Sequence, residues 1–322
     1  MTSRTALTAT KSAPLPSVPE SELAVAVEYA RAEKATATRK AYASDFRVFR
    51  AWCSERSVSS LPATPASVAA FLAAQATQGI KPSTLGRRVA AIRYAHKLAG
   101  HETPTGSEAV KATMRGIRRT TGTAKTCKAP VTADKMRAMA AEAPNGLIGL
   151  RDRALLLLGF AGAFRRSELV ALNVSDLTEC EGGMRVNIAR SKTDQEGAGV
   201  TIGVAPGTVA CPVKAVKTWI AAAGISEGPL FKPVTKGNRI VDARLSAKSV
   251  ADIVKRYAKR IGLDPVAFSG HSLRAGFLTS AAAKGASVFK MMDVSRHKSV
   301  DTLRGYVRDA ELFRDHAGTG LL

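Results

Sequence analysis

Four separated segments of this 322-residue sequence carry side chains that can bind a phosphate or move a proton. GAFRRSEL at 162–169 holds two arginines and a glutamate, and HSLR at 271–274 places a histidine three residues before an arginine. RHKSVDTLRGY at 296–306 has a histidine nine positions before its last residue, a tyrosine, and Lys192 lies between two strand-like runs. An arginine fork matches the geometry of a phosphate, while histidine and tyrosine exchange protons. These residue types are suited to a reaction at a phosphate.

Each segment also has an ordinary structural interpretation when it is considered alone. Buried arginine is rarely left unpaired, so GAFRRSEL also fits a salt bridge at a helix end. Lys192 also fits a solvated turn, and the spacing in HSLR is common on helix faces. A histidine is often a surface group and a tyrosine often a core residue. The pattern becomes informative through the order of the four segments.

The sequence offers no recognisable site for a metal or a nucleotide cofactor. It lacks HExxH, GxxxxGK[ST] and a dinucleotide-binding fingerprint, and its cysteines form no CxxC pair. The histidines are His96, His101, His271, His297 and His316. The cysteines are Cys53, Cys127, Cys180 and Cys211. We therefore predict chemistry without metal, ATP or any other cofactor, and reduced cysteines.

The charge balance predicts a polyanionic partner. With 48 Lys and Arg against 26 Asp and Glu, the formal charge is +22, while 45% hydrophobic residues argue against a disordered polycation. Nucleic acid is the first candidate and an anionic membrane surface the second. No run approaches the ~20 apolar residues of a membrane span, and the first residues lack the apolar block of a secretory signal. These features predict a cytoplasmic protein that does not use a membrane.

The segments must be positioned by the elements around them, and those elements are mostly helical. Aromatic residues at spacings of four, three and three predict a helix at 36–56, and three more helices are expected near 64–78, from 82, and near 107–119. We predict four regions with the following bounds. They are a disordered tail at 1–19, a helical DNA-binding domain at 20–120, a linker at 121–130, and a catalytic domain at 131–322.

The second half should combine helices with one small antiparallel β element. Strands are predicted at 184–190 and 200–204, with Lys192 in the loop that joins them. The expected helices are 132–143, 148–162, 213–223, 246–262, 271–284 and 287–294, with short helices around 299–306 and 308–316. The predicted fold class is therefore mainly α with a small antiparallel β element.

In order and spacing, the four segments resemble the signature of the tyrosine recombinases, the phage integrase family, and most of all its Cre-like branch. The resemblance extends from about residue 36 to 315. It implies a SAM-like core-binding domain and an α/β catalytic domain that together form a C-shaped clamp on DNA. It implies catalytic roles for Arg165, Glu168, Lys192, His271, Arg274, His297 and Tyr306. Tyr306 would be the nucleophile, Glu168 the acidic companion of the first arginine, and Lys192 the hairpin lysine.

The same resemblance implies how the protein would use DNA. The expected partner is double-stranded DNA with inverted-repeat target sites, bound by a dimer at one site and by a tetramer in the synapse. Candidate residues for reading the major groove are Lys40, Arg87, Arg88 and Lys248. Contact with phosphate alone, or with solvent, is the open alternative for each of them.

Two positions depart from the family pattern. Arg296 replaces the usual glycine before the second histidine, and Arg166 replaces a common aliphatic residue; we expect Arg296 either to contact DNA or to crowd the site. The main prediction is a site-specific recombinase that acts through a 3′-phosphotyrosyl link and a Holliday junction. The alternatives are a catalytically silent DNA-binding regulator on the same fold, a type IB topoisomerase and, more remotely, a membrane-surface protein.

Overall fold

A computed structural model of the chain describes residues 19, 21–22, 24–25, 28–29, 33–124, 127–189, 194 and 198–310, with main chain alone at 308–310. These residues belong to two compact units, Met1–Lys125 and Thr126–Leu322, which we call the N-terminal and C-terminal units. Each unit has its own hydrophobic core. Within the described residues, no helix has the length and apolar character needed to cross a bilayer.

Within residues 33–124, the N-terminal unit has four α-helices, and two of them begin after a side chain that caps the helix. Thr64 accepts a hydrogen bond from the Ser67 N–H at 3.1 Å, and Ser107 caps another helix in the same way. Phe49 and Phe71 pack edge to face in the core with 5.0 Å between ring centroids. The helices are α1 (Thr36–Ser54), α2 (Pro65–Thr77), α3 (Pro82–Leu98) and α4 (Glu108–Thr121).

One histidine of the N-terminal unit has a structural role. His96 is fully buried, its Nε2 accepts a hydrogen bond from the Ala63 N–H at 2.8 Å, and its Nδ1 lies 2.8 Å from the Ile92 carbonyl oxygen. Because Nε2 is occupied as an acceptor, the ring carries its hydrogen on Nδ1 and donates it to Ile92. Nδ1 thus bonds within the helix that carries His96, and Nε2 ties the loop before the helix at Pro65–Thr77 to it.

As far as the described residues show, the C-terminal unit has eight helices and a three-stranded sheet, most of which pack around the larger core, while its last two helices pack around a separate small core. The sheet is antiparallel with strand order β1-β2-β3, and Met184 pairs with Val204. Its strands are β1 (Leu177–Cys180), β2 (Gly183–Ile188) and β3 (Val200–Val204). Its helices are α5 (Ala133–Ala141), α6 (Leu147–Ala161), α7 (Arg166–Ala171), α8 (Pro212–Ala223), α9 (Ala247–Arg260), α10 (His271–Ala283), α11 (Val288–Ser295) and α12 (Val300–Ala310).

This architecture confirms the predicted fold class, with two differences in detail. Strand β1 was not predicted, because LTEC is a largely exposed edge strand without the apolar alternation that marks a half-buried strand. The break predicted near residue 307 is wrong, because α12 continues from Val300 to Ala310. Leu303 on its inner face is fully buried, which anchors the helix on the small core that it shares with α10 and α11. The rest of the segment predicted at 308–316 lies outside the described residues.

The segment that leads into the C-terminal unit fixes helix α10. The Val131 N–H donates to the Ser272 carbonyl oxygen at 2.9 Å, and the Ala129 N–H donates to the Ala267 carbonyl oxygen at 2.8 Å. At Gly276, a Cβ atom would lie 1.7 Å from the carbonyl oxygen of Val131, so only glycine permits this approach. The helix that carries HSLR is therefore held against a strand-like segment with no room for a side chain.

We expect Gly276→Ala to lower the free energy of unfolding by at least about 2 kcal/mol, because the added methyl group must displace the main chain of Val131. Urea denaturation of the purified variant measures this loss. Gly116→Ala is the matched control, since Gly116 lies in α4 with nothing within 4 Å of its Cβ position. That change should be neutral or slightly stabilising. Equal stability of Gly276→Ala and the unmodified protein would contradict the assigned packing.

Candidate active site

The short helix α7 begins with an arginine and a glutamate that bind each other. Arg165 immediately precedes α7, and Glu168 lies in its first turn. The carboxylate of Glu168 accepts a hydrogen bond from Arg165 Nη1 at 2.6 Å on one oxygen and from the Arg165 N–H at 2.9 Å on the other. A carboxylate at a helix N-terminus also interacts favourably with the helix dipole. The guanidinium of Arg165 is thereby tethered at the helix entrance.

Arg274 on α10 lies beside this helix entrance and is almost entirely buried, with 1% of its surface exposed. Its Nη1 donates to the Ala163 carbonyl oxygen at 2.7 Å, and its Nη2 lies 3.1 Å from His297 Nε2. Burial and the nearby charges of Arg165 and Arg296 lower the pKa of Arg274 to about 9. An anion that entered the site would relieve this repulsion between cations.

The hydrogen-bond network decides which tautomer His297 adopts. The Ser295 hydroxyl donates to the Met291 carbonyl oxygen at 2.6 Å, so a lone pair of Ser295 Oγ faces His297 Nδ1 at 2.8 Å. Nδ1 therefore carries the hydrogen, and Nε2 accepts from Arg274. Burial, followed by the charges of Arg274 and Arg165, lowers the pKa of His297 to about 4. In this state the ring is neutral.

The tyrosine predicted as nucleophile faces the first residue of α10. Tyr306 Oη on α12 lies 3.2 Å from His271 Nε2. Burial raises the pKa of Tyr306, although Arg274 acts in the opposite direction. Burial of the ring and the charges of Arg274 and Arg165 lower the pKa of His271. A protonated phenol therefore meets a neutral imidazole, which can accept its proton.

Six of the seven predicted catalytic residues thus lie in one connected cluster of the C-terminal unit. It joins the start of α7, one face of α10, the turn after α11, and α12. The six residues are Arg165, Glu168, His271, Arg274, His297 and Tyr306. Lys192 lies outside the described residues, and its predicted role stays a prediction. Within the described part of the chain, no three His, Cys, Asp or Glu side chains gather as a group that could hold a metal ion.

The four candidate DNA-reading residues have different surroundings. Lys40 on α1 and Lys248 on α9 are exposed. Arg87 on α3 donates from Nε and Nη2 to the buried carboxylate of Asp45, at 2.6 and 3.2 Å. The side chain of Arg88 is 12% exposed, and its Nε lies 3.8 Å from the same carboxylate. All four roles at DNA stay predictions, and Arg88 has the least surface with which to make one.

Two residues of the site were not among the predicted catalytic residues, and both lie directly before His297. Ser295 is fully buried and fixes the His297 tautomer, and Arg296 places its guanidinium against Glu168. The sequence analysis expected Arg296, a departure from the family pattern, either to contact DNA or to crowd the site, and did not predict its pairing with Glu168. The sequence did contain a signal for Arg296, because an arginine where the family pattern has glycine indicates that side-chain contacts offset an unfavourable backbone conformation. Arg166, the other departure, is exposed at the start of α7.

The lowered pKa of His297 predicts how stability depends on pH. Because an unfolded histidine has a pKa near 6.5, the unfolded chain binds more protons than the folded one between about pH 4 and pH 6.5. We therefore expect stability to fall as pH decreases from 7.5 to 5.5, and to fall less in His297→Gln. Calorimetric unfolding at both pH values measures the difference. His101→Gln replaces an exposed histidine of the N-terminal unit and should follow the unmodified protein. Because the pKa of His271 is lowered as well, His297→Gln should keep part of the pH dependence of stability. A pH dependence as large as that of the unmodified protein would contradict the assignment to His297.

Most of the chain matches models of one protein family. Residues 130–312 match the model of the phage integrase family, and residues 27–103 match the phage integrase N-terminal SAM-like domain. The integrase/recombinase xerD homolog of Selenomonas ruminantium is 41% identical over 290 residues, covering 88% of this chain and 85% of the relative. Recombinase cre of Escherichia phage P1 is 26% identical and covers 85% and 84%. The chain is thus more similar to this xerD homolog than to Cre, which departs from the predicted closeness to the Cre-like branch.

Solved structures show the same fold at low sequence identity. The Tn1549 transposon integrase in complex with transposon right end DNA has a TM-score of 0.62 and 13% identity, covering 91% of this chain and 98% of that one. The XerH site-specific recombinase bound to palindromic difH substrate has a TM-score of 0.57 and 16% identity, covering 80% and 72%.

Proposed function

The chain belongs to the phage integrase family of tyrosine recombinases, and we propose that it cleaves and rejoins DNA through Tyr306. It is a site-specific recombinase, and its macromolecular partner is DNA. The observation that carries the assignment of the nucleophile is the 3.2 Å distance between Tyr306 Oη and His271 Nε2, within a cluster that holds Arg165 and Arg274. Nucleophilic attack on a phosphodiester requires a phenol or similar nucleophile, a neutral base and positive groups at the phosphate, and this cluster contains all three.

In the proposed first step, His271 Nε2 accepts the phenolic proton while Tyr306 Oη attacks the phosphorus. A bond forms between the tyrosine oxygen and the phosphorus, and the bond from the phosphorus to the 5′ oxygen breaks. The product is a 3′-phosphotyrosyl link and a free 5′ hydroxyl, whose proton we assign to Lys192 from the sequence resemblance. Because the covalent link preserves a phosphodiester, the reverse attack by a 5′ hydroxyl needs no external energy source.

Arg165 and Arg274 are proposed to bind the two non-bridging oxygens of the phosphate. Arg165 donates a hydrogen bond from Nη1 to Glu168, while Arg274 donates from Nη1 to the Ala163 carbonyl oxygen and from Nη2 to His297. Both guanidinium groups are held by the protein before a phosphate arrives, so little reorganisation opposes the reaction. Fixed donors of this kind contribute about 10²–10³-fold in rate each, by analogy with oxyanion holes.

His297 is proposed to become a donor to the phosphate only once the anion is present. In the free protein its Nε2 accepts from Arg274. A phosphate placed between the two groups would take over the Arg274 donor, and its negative charge would raise the pKa of His297. The ring could then bind a second proton at Nε2 and donate it in a hydrogen bond to a non-bridging oxygen.

The assembly on DNA follows the sequence prediction and stays a proposal. We infer inverted-repeat target sites, a dimer on each site, and a tetrameric synapse that passes through a Holliday junction. The chain's formal charge of +22 supports broad contact with phosphates, which would make binding strongly dependent on salt. A silent regulator or a type IB topoisomerase is less well supported, since the predicted catalytic groups are retained and the curated relatives carry recombinase names.

The test is to trap the covalent intermediate. Duplexes enriched from a random library by binding to the protein are rebuilt as nicked suicide substrates, in which the cleaved 5′ end is lost by diffusion. We expect a complex that survives denaturing detergent, with the DNA attached to the peptide that contains Tyr306 by mass spectrometry. Tight binding without any adduct would favour the silent regulator. Relaxation of supercoils without exchange between two sites would favour the topoisomerase.

A further inference from the structure

Arg296 occupies a backbone conformation that arginine seldom adopts. It follows α11 with φ 58° and ψ 40°, in the left-handed region that favours glycine. Glycine is also the residue that the family pattern usually has here, as the sequence resemblance indicates. An arginine that accepts this strain directly before His297 must be held by its side chain.

The contacts of the Arg296 side chain are extensive and internal. Nη2 donates to Glu168 at 2.7 Å, and Nη1 donates to the carbonyl oxygens of Val294 at 2.6 Å and Gly162 at 3.1 Å. The guanidinium carbon also lies 5.2 Å from the centre of the Phe164 ring. Only 6% of the side chain is exposed. Arg296 is thus not a free cation at the surface, which argues against direct contact with DNA.

These contacts reach both arginines that are proposed to bind the phosphate. The two carboxylate oxygens of Glu168 are divided between Arg165 Nη1 and Arg296 Nη2. The carbonyl oxygen of Ala163 accepts from Arg274 at 2.7 Å and from Arg296 at 3.2 Å. Arg296 therefore shares a hydrogen-bond acceptor with each of the two arginines: the Glu168 carboxylate with Arg165 and the Ala163 carbonyl oxygen with Arg274.

We propose that Arg296 is a positioning residue for DNA cleavage, which acts through Glu168 and the 162–165 connection to orient Arg165 and Arg274. The inference rests on the proposed function and adds a residue to it. Arg296 also limits how far Glu168 neutralises Arg165, because the carboxylate is shared between two cations. Arg165 thus keeps positive charge available for a phosphate while its position is fixed.

The first experiment compares cleavage rates with binding. Arg296→Gly and Arg296→Asn both remove the cation and introduce a residue that tolerates the left-handed backbone conformation. Arg296→Lys keeps the positive charge but replaces the planar guanidinium with a single ammonium group. Single-turnover adduct formation is measured at saturating protein on the enriched nicked duplex, and Kd is measured on the intact duplex. We expect Arg296→Gly and Arg296→Asn to be about 10–100-fold slower with Kd within about twofold, and Arg296→Lys to be intermediate. Lys290→Ala removes an exposed cation from α11 and should match the unmodified protein.

The second experiment separates positioning from stability. Burial alone would raise the pKa of Glu168, but Arg296 and Arg165 together hold it below its ordinary value. The charged groups that face Glu168 are Arg165 beside it, Arg274 on α10 and Arg296 on the turn after α11. Without Arg296, Glu168 binds a proton more readily, so the pKa of its carboxyl, followed by carbon NMR as a function of pH, should rise toward the ordinary value of a glutamate. Loss of stability alone would not move that pKa in a variant that is still folded at the temperature of the measurement.

Two results would overturn the proposal. One is a folded Arg296→Gly or Arg296→Asn protein that forms the adduct at the unmodified rate. The other is a slow variant in which the pKa of Glu168 is unchanged, together with an Arg296→Lys protein as slow as Arg296→Gly. If Arg296→Gly does not fold, Arg296→Asn and Arg296→Lys provide the same comparison. Failure of the underlying function is distinguishable, because the unmodified protein would then form no adduct at all.

Discussion

Tyr306→Phe is expected to abolish covalent attachment to DNA, with a loss of at least about 10⁴-fold in adduct formation. The variant keeps the ring that lies against the core shared by α10, α11 and α12, and it removes only the oxygen that lies 3.2 Å from His271 Nε2. DNA binding should stay within about twofold, because affinity depends on many phosphate contacts rather than on one phenol. A gel that separates the detergent-resistant adduct from free duplex measures the first quantity, and a filter-binding titration measures the second.

The matched control is Tyr94→Phe, which removes a phenolic oxygen from the N-terminal unit, where Tyr94 packs on Tyr42 at 5.6 Å between ring centroids. We expect this variant to form the adduct at the unmodified rate. An adduct that persists in Tyr306→Phe would mean that another residue is the nucleophile. The role assigned to His271 would then be wrong as well.

Arg274→Lys is expected to slow adduct formation by about 10²–10³-fold while leaving the fold intact. Arg274 has 1% of its surface exposed, and two of its nitrogens contact Ala163 and His297. Lysine carries its three N–H donors on one nitrogen, which cannot occupy the separate positions of Arg274 Nη1 and Nη2 and also reach a phosphate. Burial beside Arg165 and Arg296 would also favour loss of the lysine proton, which removes the charge that the transition state needs.

The same assay at saturating protein measures the loss, with thermal unfolding as a check on the fold. Arg260→Lys is the control, because Arg260 donates to the Glu142 carbonyl oxygen at the exposed end of α9 and contacts none of the cluster. We expect it to cleave at the unmodified rate. A rate for Arg274→Lys within about threefold of the unmodified protein would show that charge alone suffices and that the fork geometry is not used.

Local patterns were sufficient for most of the helices. The helices predicted near 64–78 and 107–119 are observed, and each begins after a side-chain cap, Thr64 or Ser107, that binds the residue three positions further on. Strand β1 was not predicted, because an exposed edge strand of four residues lacks the alternation of apolar and polar residues that marks a half-buried strand. The continuous helix α12 depends on Leu303, which becomes buried only when α10 and α11 pack against it. Tertiary packing decided that boundary, and no local signal marked it.

The sequence by itself determined the residue types, their order along the chain and the family they resemble, because a motif is a property of neighbouring residues. Only the tertiary structure decided which groups hold one another. The contact of Arg274 with Ala163 spans 111 positions and the contact of Arg296 with Glu168 spans 128, and no periodicity encodes such distances. The burial of Arg296 was decided in the same way, whereas the tautomer of His297 follows from bonds between residues only two and four positions apart. The acceptors that hold Arg296 meet its guanidinium only when helices α7 and α11 pack together, since a hydrogen bond acts over about 3 Å of space whatever the separation along the chain.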